Sequence, residues 1–357
     1  MQKKIIALAI AGLSSAAFAQ SNVTISGLFD TGIRQSSTEA ATGVKTTTTH
    51  YGSSSNTATT NVTFAVTEDL GGGMKAGVVI VTEPAAGVSN AVGFANSQNY
   101  LWLGGKFGEV KAGFFNNIGL EAALAMQPFG TAYGGGYSAA FGRLMGAGDT
   151  TTAANTLAGV GSAGTRLVRT NNAIQYKSPN FSGFEVSALM HNKNSDAGVA
   201  AADATGETLI GASYANGPLN VKYVNAKFNS GSATSILGAG GSGKHNLLGA
   251  NYTFGPATVY AGWSNSSTDM AGAKVVDNTA WNIALKYTAG NIAFLANYLQ
   301  DNDKLAANAD RKLTGLGLDY SMSKRTTAYV RYETFDNHTN ATGGKNTNTS
   351  VGLRHTF

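Results

Sequence analysis

The sequence has no cysteine, only five prolines and few charged residues. Without cysteine, a disulfide framework, a thiolate nucleophile and cysteine metal sites are all excluded. Charged residues make up 13% of the chain, about half the usual share. Hydrophobic residues still account for 43%, so the composition is not that of a disordered protein. With 46 glycines, this composition favours many short strands joined by loops.

The first residues have the pattern of an export signal. Lys3 and Lys4 precede a short apolar run over residues 5–13, and Ala17-Phe18-Ala19 supplies a small-x-small cleavage site. We therefore expect residues 1–19 to be a cleaved signal peptide and 20–357 to be the mature chain. The mature chain keeps 23 basic and 20 acidic residues, a balance too mild to indicate nucleic-acid binding.

Long hydrophobic runs are also missing after Gln20, so no transmembrane helix is predicted. An exported chain of this kind is periplasmic, secreted or an outer-membrane barrel.

In Trp281–Thr288 the apolar residues share one parity and the polar residues share the other. This period of two is typical of a strand with one apolar and one polar face. After Ala289-Gly290 the alternation resumes over 291–300, which predicts a hairpin.

Sixteen such segments follow one another along the chain, and all five prolines lie outside them. The predicted strands are 22–34, 60–68, 74–83, 99–105, 109–115, 172–178, 183–191, 208–215, 219–228, 246–254, 257–264, 280–288, 291–300, 313–321, 326–335 and 347–357.

Short and long connections alternate between these strands. Short turns such as 69–73, 106–108 and 216–218 contrast with long polar stretches. The pattern predicts an all-β, 16-stranded antiparallel transmembrane β-barrel with short periplasmic turns and long external loops. A soluble β-sandwich or adhesin is the alternative, but closure into a barrel is required when a sheet meets lipid. The long connections are 35–59, 84–98, 116–171, 192–207, 229–245, 265–279, 301–312 and 336–346.

Several motifs resemble the general porins of Gram-negative bacteria, in particular the β-proteobacterial trimeric outer-membrane porins. The matching stretches, spread over the mature chain, are NVTISGLFD at 22–30, TEDLGGGMKA at 67–76, LGGKFGEVK at 103–111, RTNNAIQYKSPNF at 169–181 and VGLRHTF at 351–357.

The resemblance implies a passive diffusion channel for ions and small hydrophilic solutes, spanning the Gram-negative outer membrane many times. It implies a homotrimer surrounded by lipid and lipopolysaccharide, with no enzymatic activity. It also implies that the third long connection, 116–171, folds into the barrel and narrows the pore. The terminal Phe357 resembles the signal that the barrel-insertion machinery reads.

Parity predicts which charged residues line the pore. The polar parity carries nine basic and five acidic residues, and this excess of positive charge predicts a weak anion preference. The basic set is Arg34, Lys75, Lys111, Arg169, Lys177, Lys222, Lys286, Arg331 and Arg354. The acidic set is Asp30, Glu109, Glu185, Asp319 and Glu333. The third connection adds the candidate constriction residues Glu121, Arg143 and Arg166.

The resemblance also implies an arginine cluster on the wall that faces the third loop. Arg169 matches one of its positions, but Phe114-Phe115 and Thr60-Asn61 stand where the family often has arginine. The pore is therefore expected to be less strongly charged at its waist, and a substrate-specific channel with a modified constriction is the alternative.

Other chemistry has weak support in the sequence. The glycine spacing at 238–243 is that of a dinucleotide loop, but no strand–helix unit surrounds it. Asp301 begins a calcium-like pattern that lacks the turn glycine. His191 is the single candidate for a barrel hydrolase. We predict no cofactor, no metal and no catalytic residue.

Overall fold

The computed structural model describes residues 22–54, 56–84, 93–131, 167–192, 205–230, 240–270, 272–305, 310–336 and 344–357. The predicted signal peptide, Arg143 and Arg166 lie outside these residues.

The described residues form seventeen antiparallel strands in one sheet and a single short helix. Helix α1 spans Ile118–Ala125, and no helix in these ranges is long and apolar enough to cross a membrane. The strands are β1 (Asn22–Glu39), β2 (Lys45–Ser54), β3 (Asn61–Gly71), β4 (Met74–Thr82), β5 (Gln98–Gly105), β6 (Gly108–Asn116), β7 (Arg169–Lys177), β8 (Phe184–His191), β9 (Thr205–Asn216), β10 (Leu219–Ser230), β11 (Ser242–Phe254), β12 (Ala257–Met270), β13 (Ala273–Ala289), β14 (Ile292–Asp303), β15 (Arg311–Ser321), β16 (Thr326–Asp336) and β17 (Lys345–Thr356).

The sheet closes into a barrel because the first strand pairs with the last. β1 and β17 pair from Leu28 with Thr356 to Glu39 with Lys345. On its other side, β1 pairs with β3 along its first part and with β2 along its second part. β2 and β3 thus share one position in the ring, and the closed barrel has the sixteen positions that the sequence predicts.

The strands extend further toward the long connections than predicted. β13 begins at Ala273 instead of residue 280, and β2 lies wholly within the predicted loop 35–59. β2 contains the run Thr46–Thr49, in which neither parity is apolar. Beyond the lipid, neither strand face needs an apolar side chain, so the period-two signal is lost although backbone pairing continues.

The outward face of the barrel carries the apolar parity. Trp281 and Tyr298 lie together on it with ring centroids 5.5 Å apart. Seven tyrosines and tryptophans near the predicted strand ends suit an aromatic girdle at the membrane interface: Tyr100, Trp102, Trp263, Trp281, Tyr287, Tyr298 and Tyr332. The last five of these lie on the outward face.

The interface assignment was wrong for Tyr100 and Trp102. Trp102 lies opposite both Lys111 and Gly77 in the sheet, and its ring fills the space beside that glycine on the inward face. Tyr100 contacts the buried Phe115 at 5.7 Å between ring centroids. Parity counted on β5 alone could not reveal the inward direction, since both of its faces are apolar there.

Candidate functional site

The third long connection enters the barrel directly after β6. Asn117 accepts a hydrogen bond from the Gly119 amide at 2.9 Å and so caps the start of α1. The Asn117 amide donates to the Val168 carbonyl at 2.8 Å, which brings the beginning and the end of the connection together. We call residues 117–131 the inner segment.

Helix α1 packs against the inward face of β9 to β12. A Cβ atom on Gly211 would lie 2.9 Å from the Ile118 side chain, and one on Gly249 would lie 2.2 Å from the Ala122 carbonyl oxygen. These glycines therefore allow the helix to approach the wall closely. The Asn251 side chain donates to the Ala125 carbonyl at 2.9 Å and holds the end of α1.

The inner segment continues along the wall after the helix ends. Asn282 donates to the Met126 carbonyl at 2.6 Å, and the Phe129 ring lies 5.6 Å from the Arg331 guanidinium. Thr131 then meets Thr59, with 3.1 Å between the two hydroxyl oxygens. The segment thus contacts β9 to β13, then β16, and finally the connection between β2 and β3.

Three lysines surround the Glu121 carboxylate. Lys222 lies 2.7 Å from it, and Lys111 and Lys177 are close enough to act on its charge. Burial raises the pKa of Glu121, but the charge and hydrogen bond of Lys222, with Lys177 and Lys111, outweigh burial and lower that pKa below its ordinary value. The carboxylate therefore stays ionised and links α1 to β10.

The lowered pKa of Glu121 predicts acid-sensitive channel behaviour. Because the folded-state pKa is depressed, the ion pair contributes above the ordinary glutamate pKa and is lost as pH falls through the depressed value. We expect bilayer conductance to stay constant at neutral pH and to change in acid, where α1 loses its link to Lys222. Glu121→Gln should lack this transition, and an identical acid transition in that variant would contradict the assignment.

A second charged cluster lies on the inward face of β15 to β17. Asp319 forms an ion pair with Arg331, with 2.8 Å between Oδ1 and Nη2, and lies 3.7 Å from Arg354. Arg354 also donates to the Thr57 hydroxyl at 3.2 Å. Asp30, fully buried, accepts from the Tyr329 hydroxyl at 2.5 Å. This cluster joins the closing strands to the connection that precedes β3.

A cavity of ≈ 640 Å³ lies between the inner segment and the wall formed by β3 to β6. Arg169 lines it and pairs with Glu83, and its Nε also donates to the Asn116 side chain at 3.0 Å. Ser97 donates to the same Glu83 carboxylate at 2.6 Å. The predicted arginine of the third-loop wall is therefore neutralised by Glu83, the last residue of the predicted strand 74–83, which the predicted acidic set omits.

Eight of the nine predicted basic wall residues lie on the inward parity of their strands, and Arg169, beyond the register shift between β6 and β7, lines the cavity. Lys177 pairs with Glu185 at 3.1 Å, and Lys111 lies over the Phe115 ring at 4.3 Å. Lys75 and Lys286 lie near the short-turn end of the barrel. The inward positions follow from the registers for Arg34, Lys75, Lys111, Lys177, Lys222, Lys286, Arg331 and Arg354.

The predicted charge count was incomplete on the acidic side. Asp301, which is fully buried, pairs with Arg311 at 3.1 Å, and both belong to strand ends that had been assigned to a loop. The extension of β3, β9 and β14 likewise places Asp69, Glu207 and Asp303 on the inward side. The residues that the count omitted are Asp69, Glu83, Glu121, Glu207, Asp301, Asp303 and Arg311.

Metal binding and hydrolysis were the two other kinds of chemistry considered from the sequence. In the ranges that the structure covers, no group of three or more His, Asp and Glu side chains could hold a metal ion. His191 is buried, and its Nδ1 lies 3.2 Å from the Asn172 carbonyl oxygen.

A sequence profile of the Gram-negative porins matches residues 6–340 of this chain. Outer membrane porin protein 32 of Delftia acidovorans is 28% identical over 375 residues, and the alignment covers 100% of both chains. Major outer membrane protein P.IB of Neisseria lactamica is 26% identical over 379 residues, again covering 100% of both.

Solved structures show the same fold. An anion-selective porin from Comamonas acidovorans superposes with a TM-score of 0.74 at 22% identity, covering 95% of this chain and 100% of that chain. OmpT of Vibrio cholerae superposes with a TM-score of 0.63 at 17% identity, covering 94% and 98%.

Proposed function

The chain belongs to the Gram-negative porin family, and from this premise we propose that its channel conducts anions in weak preference to cations. It is an outer-membrane protein and a passive channel through which ions and small hydrophilic solutes diffuse down their gradients. The family and fold are those of channels rather than enzymes. The proposal concerns the sign of the net charge that the pore wall exposes to permeating ions.

The observation that carries the proposal is the unequal exposure of the interior charges. Eight inward basic side chains are half-buried or exposed, whereas Arg311 and Arg331 are buried. Six inward acidic side chains are similarly accessible: Asp69, Glu83, Glu109, Glu121, Glu185 and Asp319. The other five are buried: Asp30, Glu207, Asp301, Asp303 and Glu333. Water in the bore thus meets a modest positive excess, which raises the local anion concentration.

Lys111 is the residue best placed to produce this excess. In the described part of the chain it has no ion-pair partner; its ammonium donates to the Asn116 carbonyl at 3.1 Å and lies over two aromatic rings. It also lies close enough to Glu121 of the inner segment for the two charges to interact. An unpaired charge acts on passing ions more strongly than one that is already neutralised.

A reversal potential in a potassium chloride gradient tests the anion preference. We expect the wild-type value to have the sign of chloride selectivity. Lys111→Gln should lower the chloride-to-potassium permeability ratio roughly two- to threefold, the opposite effects on the two ions of one charge about 6 Å away in water, screened by about 0.15 M salt. Lys227→Gln, on the outward face, is the matched control and should leave the ratio unchanged. Cation selectivity in the wild type would refute the proposal.

We further propose a homotrimer in a membrane of lipid and lipopolysaccharide, delivered by the barrel-insertion machinery. One similar solved structure, OmpT of Vibrio cholerae, is described in a trimer form. The terminal Phe357 exchanges two 3.0 Å backbone hydrogen bonds with Gly27 across the closing strands, and its ring stays about half exposed on the outward side. A C-terminal aromatic residue in this position supports a recognition signal that the barrel-insertion machinery binds before the barrel closes.

A further inference from the structure

The cavity beside the inner segment has a polar lining from four neighbouring strands or strand ends. Asn61 and Thr63 on β3 face Gln98 on β5 and Asn116 on β6. Leu120 and Thr131 of the inner segment form the opposite side. Its volume of ≈ 640 Å³ lies within the range of sites that hold small organic ligands.

Charge in this cavity is internally compensated. Arg169 and Glu83 form an ion pair, and both are further hydrogen-bonded, Arg169 to Asn116 and Glu83 to Ser97. They are the only charged side chains among the described residues that line it. A charged solute would have to leave water without gaining an opposite charge, which costs free energy.

The orientation of the lining amides is fixed by their existing partners. Arg169 can only donate, so the Asn116 oxygen accepts and its NH2 group remains open. The Asn116 backbone N–H can only donate, so the Gln98 oxygen accepts and its NH2 group remains open. The Thr59 carbonyl can only accept, so the Asn61 NH2 group donates and its oxygen remains open.

Open donors and open acceptors therefore lie side by side on one wall. Asn116 and Gln98 offer N–H groups, Asn61 offers an oxygen, and the Thr63 hydroxyl can act in either role. An anion would use only the donors and a cation only the acceptors. A hydroxyl group both donates and accepts, so neighbouring hydroxyls on one solute can use the whole set.

We propose that this cavity is a binding subsite for uncharged polyhydroxylated solutes of the size of a monosaccharide. The inference rests on the proposed channel function and assigns it a solute class that the ion preference does not. Asn61 stands where the resemblance implies an arginine, so this wall has exchanged a fixed positive charge for an uncharged acceptor. Small ions diffuse through the rest of the water-filled bore, while polyols bind transiently at the wall of this cavity.

Ion-current recordings across planar bilayers test the subsite with glucose as the probe and gluconate as its charged counterpart of similar size. We expect glucose to reduce the single-channel current saturably, beyond its effect on bulk conductivity, and gluconate to cause no saturable reduction. The double variant Asn61→Leu with Gln98→Met should weaken the apparent glucose affinity roughly tenfold, since two hydrogen bonds are removed at similar side-chain volume.

Asn220→Leu on the inward face of β10, outside the cavity, is the matched control and should bind glucose as the wild type does. Conductance in salt alone, within about a fifth of the wild-type value, shows that each variant forms a channel with an unchanged bore. Normal conductance without saturable glucose block, or equal block by gluconate, would overturn the subsite alone. Absence of any wild-type conductance would overturn the channel function instead.

Discussion

Gly249→Ala is expected to lower single-channel conductance by about a third to a half, because one methyl group must force helix α1 into the bore. A Cβ atom at this position would lie 2.2 Å from the backbone carbonyl oxygen of Ala122. An ordinary contact requires more than 3 Å, so the helix must move by about 1 Å. The barrel wall behind Gly249 is held by two strand ladders, whereas α1 is held by side-chain contacts, so the helix moves.

Gly243→Ala is the matched control for this variant. Gly243 lies on the same strand and the same parity, but a Cβ atom there would meet the Phe228 ring at 3.4 Å, an ordinary contact. We expect its conductance and its solute size limit to equal those of the wild type. Equal conductance in both alanine variants would show that α1 does not define the narrow part of the channel. Glucose permeation in vesicle swelling should fall together with conductance in Gly249→Ala.

The barrel itself could be predicted from the sequence because lipid imposes a simple rule on each strand. Trp281, Ile283 and Leu285 face outward while Asn282 and Ala284 face inward, and a reader of the sequence sees that alternation directly. Outside the lipid, a strand does not need an apolar face, so the alternation is not required. β2 and the far end of β13 continue the backbone pairing, with one register shift in each ladder, but their sequences carry no alternation.

Partners inside the barrel could not be predicted, because they depend on which strands face each other across the bore. The sequence predicted that Arg169 belongs to the pore wall. Its pairing with Glu83, however, requires the end of β4 and the start of β7 to lie close together. Glu121 had been named as a constriction residue, but its link to Lys222 depends on the path of the inner segment. No local pattern encodes such a contact.

The aromatic residues at 114–115 show the same limit of prediction from the sequence. The resemblance identifies the loss of arginine at this place, and that much is visible in the sequence. It does not show that Phe115 becomes fully buried or that Lys111 covers its ring at 4.3 Å. A backbone irregularity at Gly113, where φ is +135°, shifts the register between β6 and β7 and permits this packing.

Asp30→Ala is expected to destabilise the closed barrel by about 3 kcal/mol or more, since several buried donors lose their acceptor at once. The carboxylate, fully buried, accepts from the Thr57 amide at 2.7 Å, the Thr57 hydroxyl at 2.6 Å and the Ala58 amide at 2.8 Å. It also accepts from Tyr329 at 2.5 Å, a residue 299 positions away in the chain. One side chain thus joins β1, β16 and the connection before β3.

Urea unfolding of the protein in lipid vesicles measures this loss. Tyr329→Phe removes only one donor and should cost less than Asp30→Ala, whereas Asp69→Asn at the exposed short-turn end of β3 should be near neutral. The connection released by Asp30→Ala also contacts Thr131 through Thr59, so we expect the inner segment to lose its far attachment and current noise to rise. A destabilised barrel with a quiet, unchanged current would show that Asp30 closes the ring but does not position the inner segment.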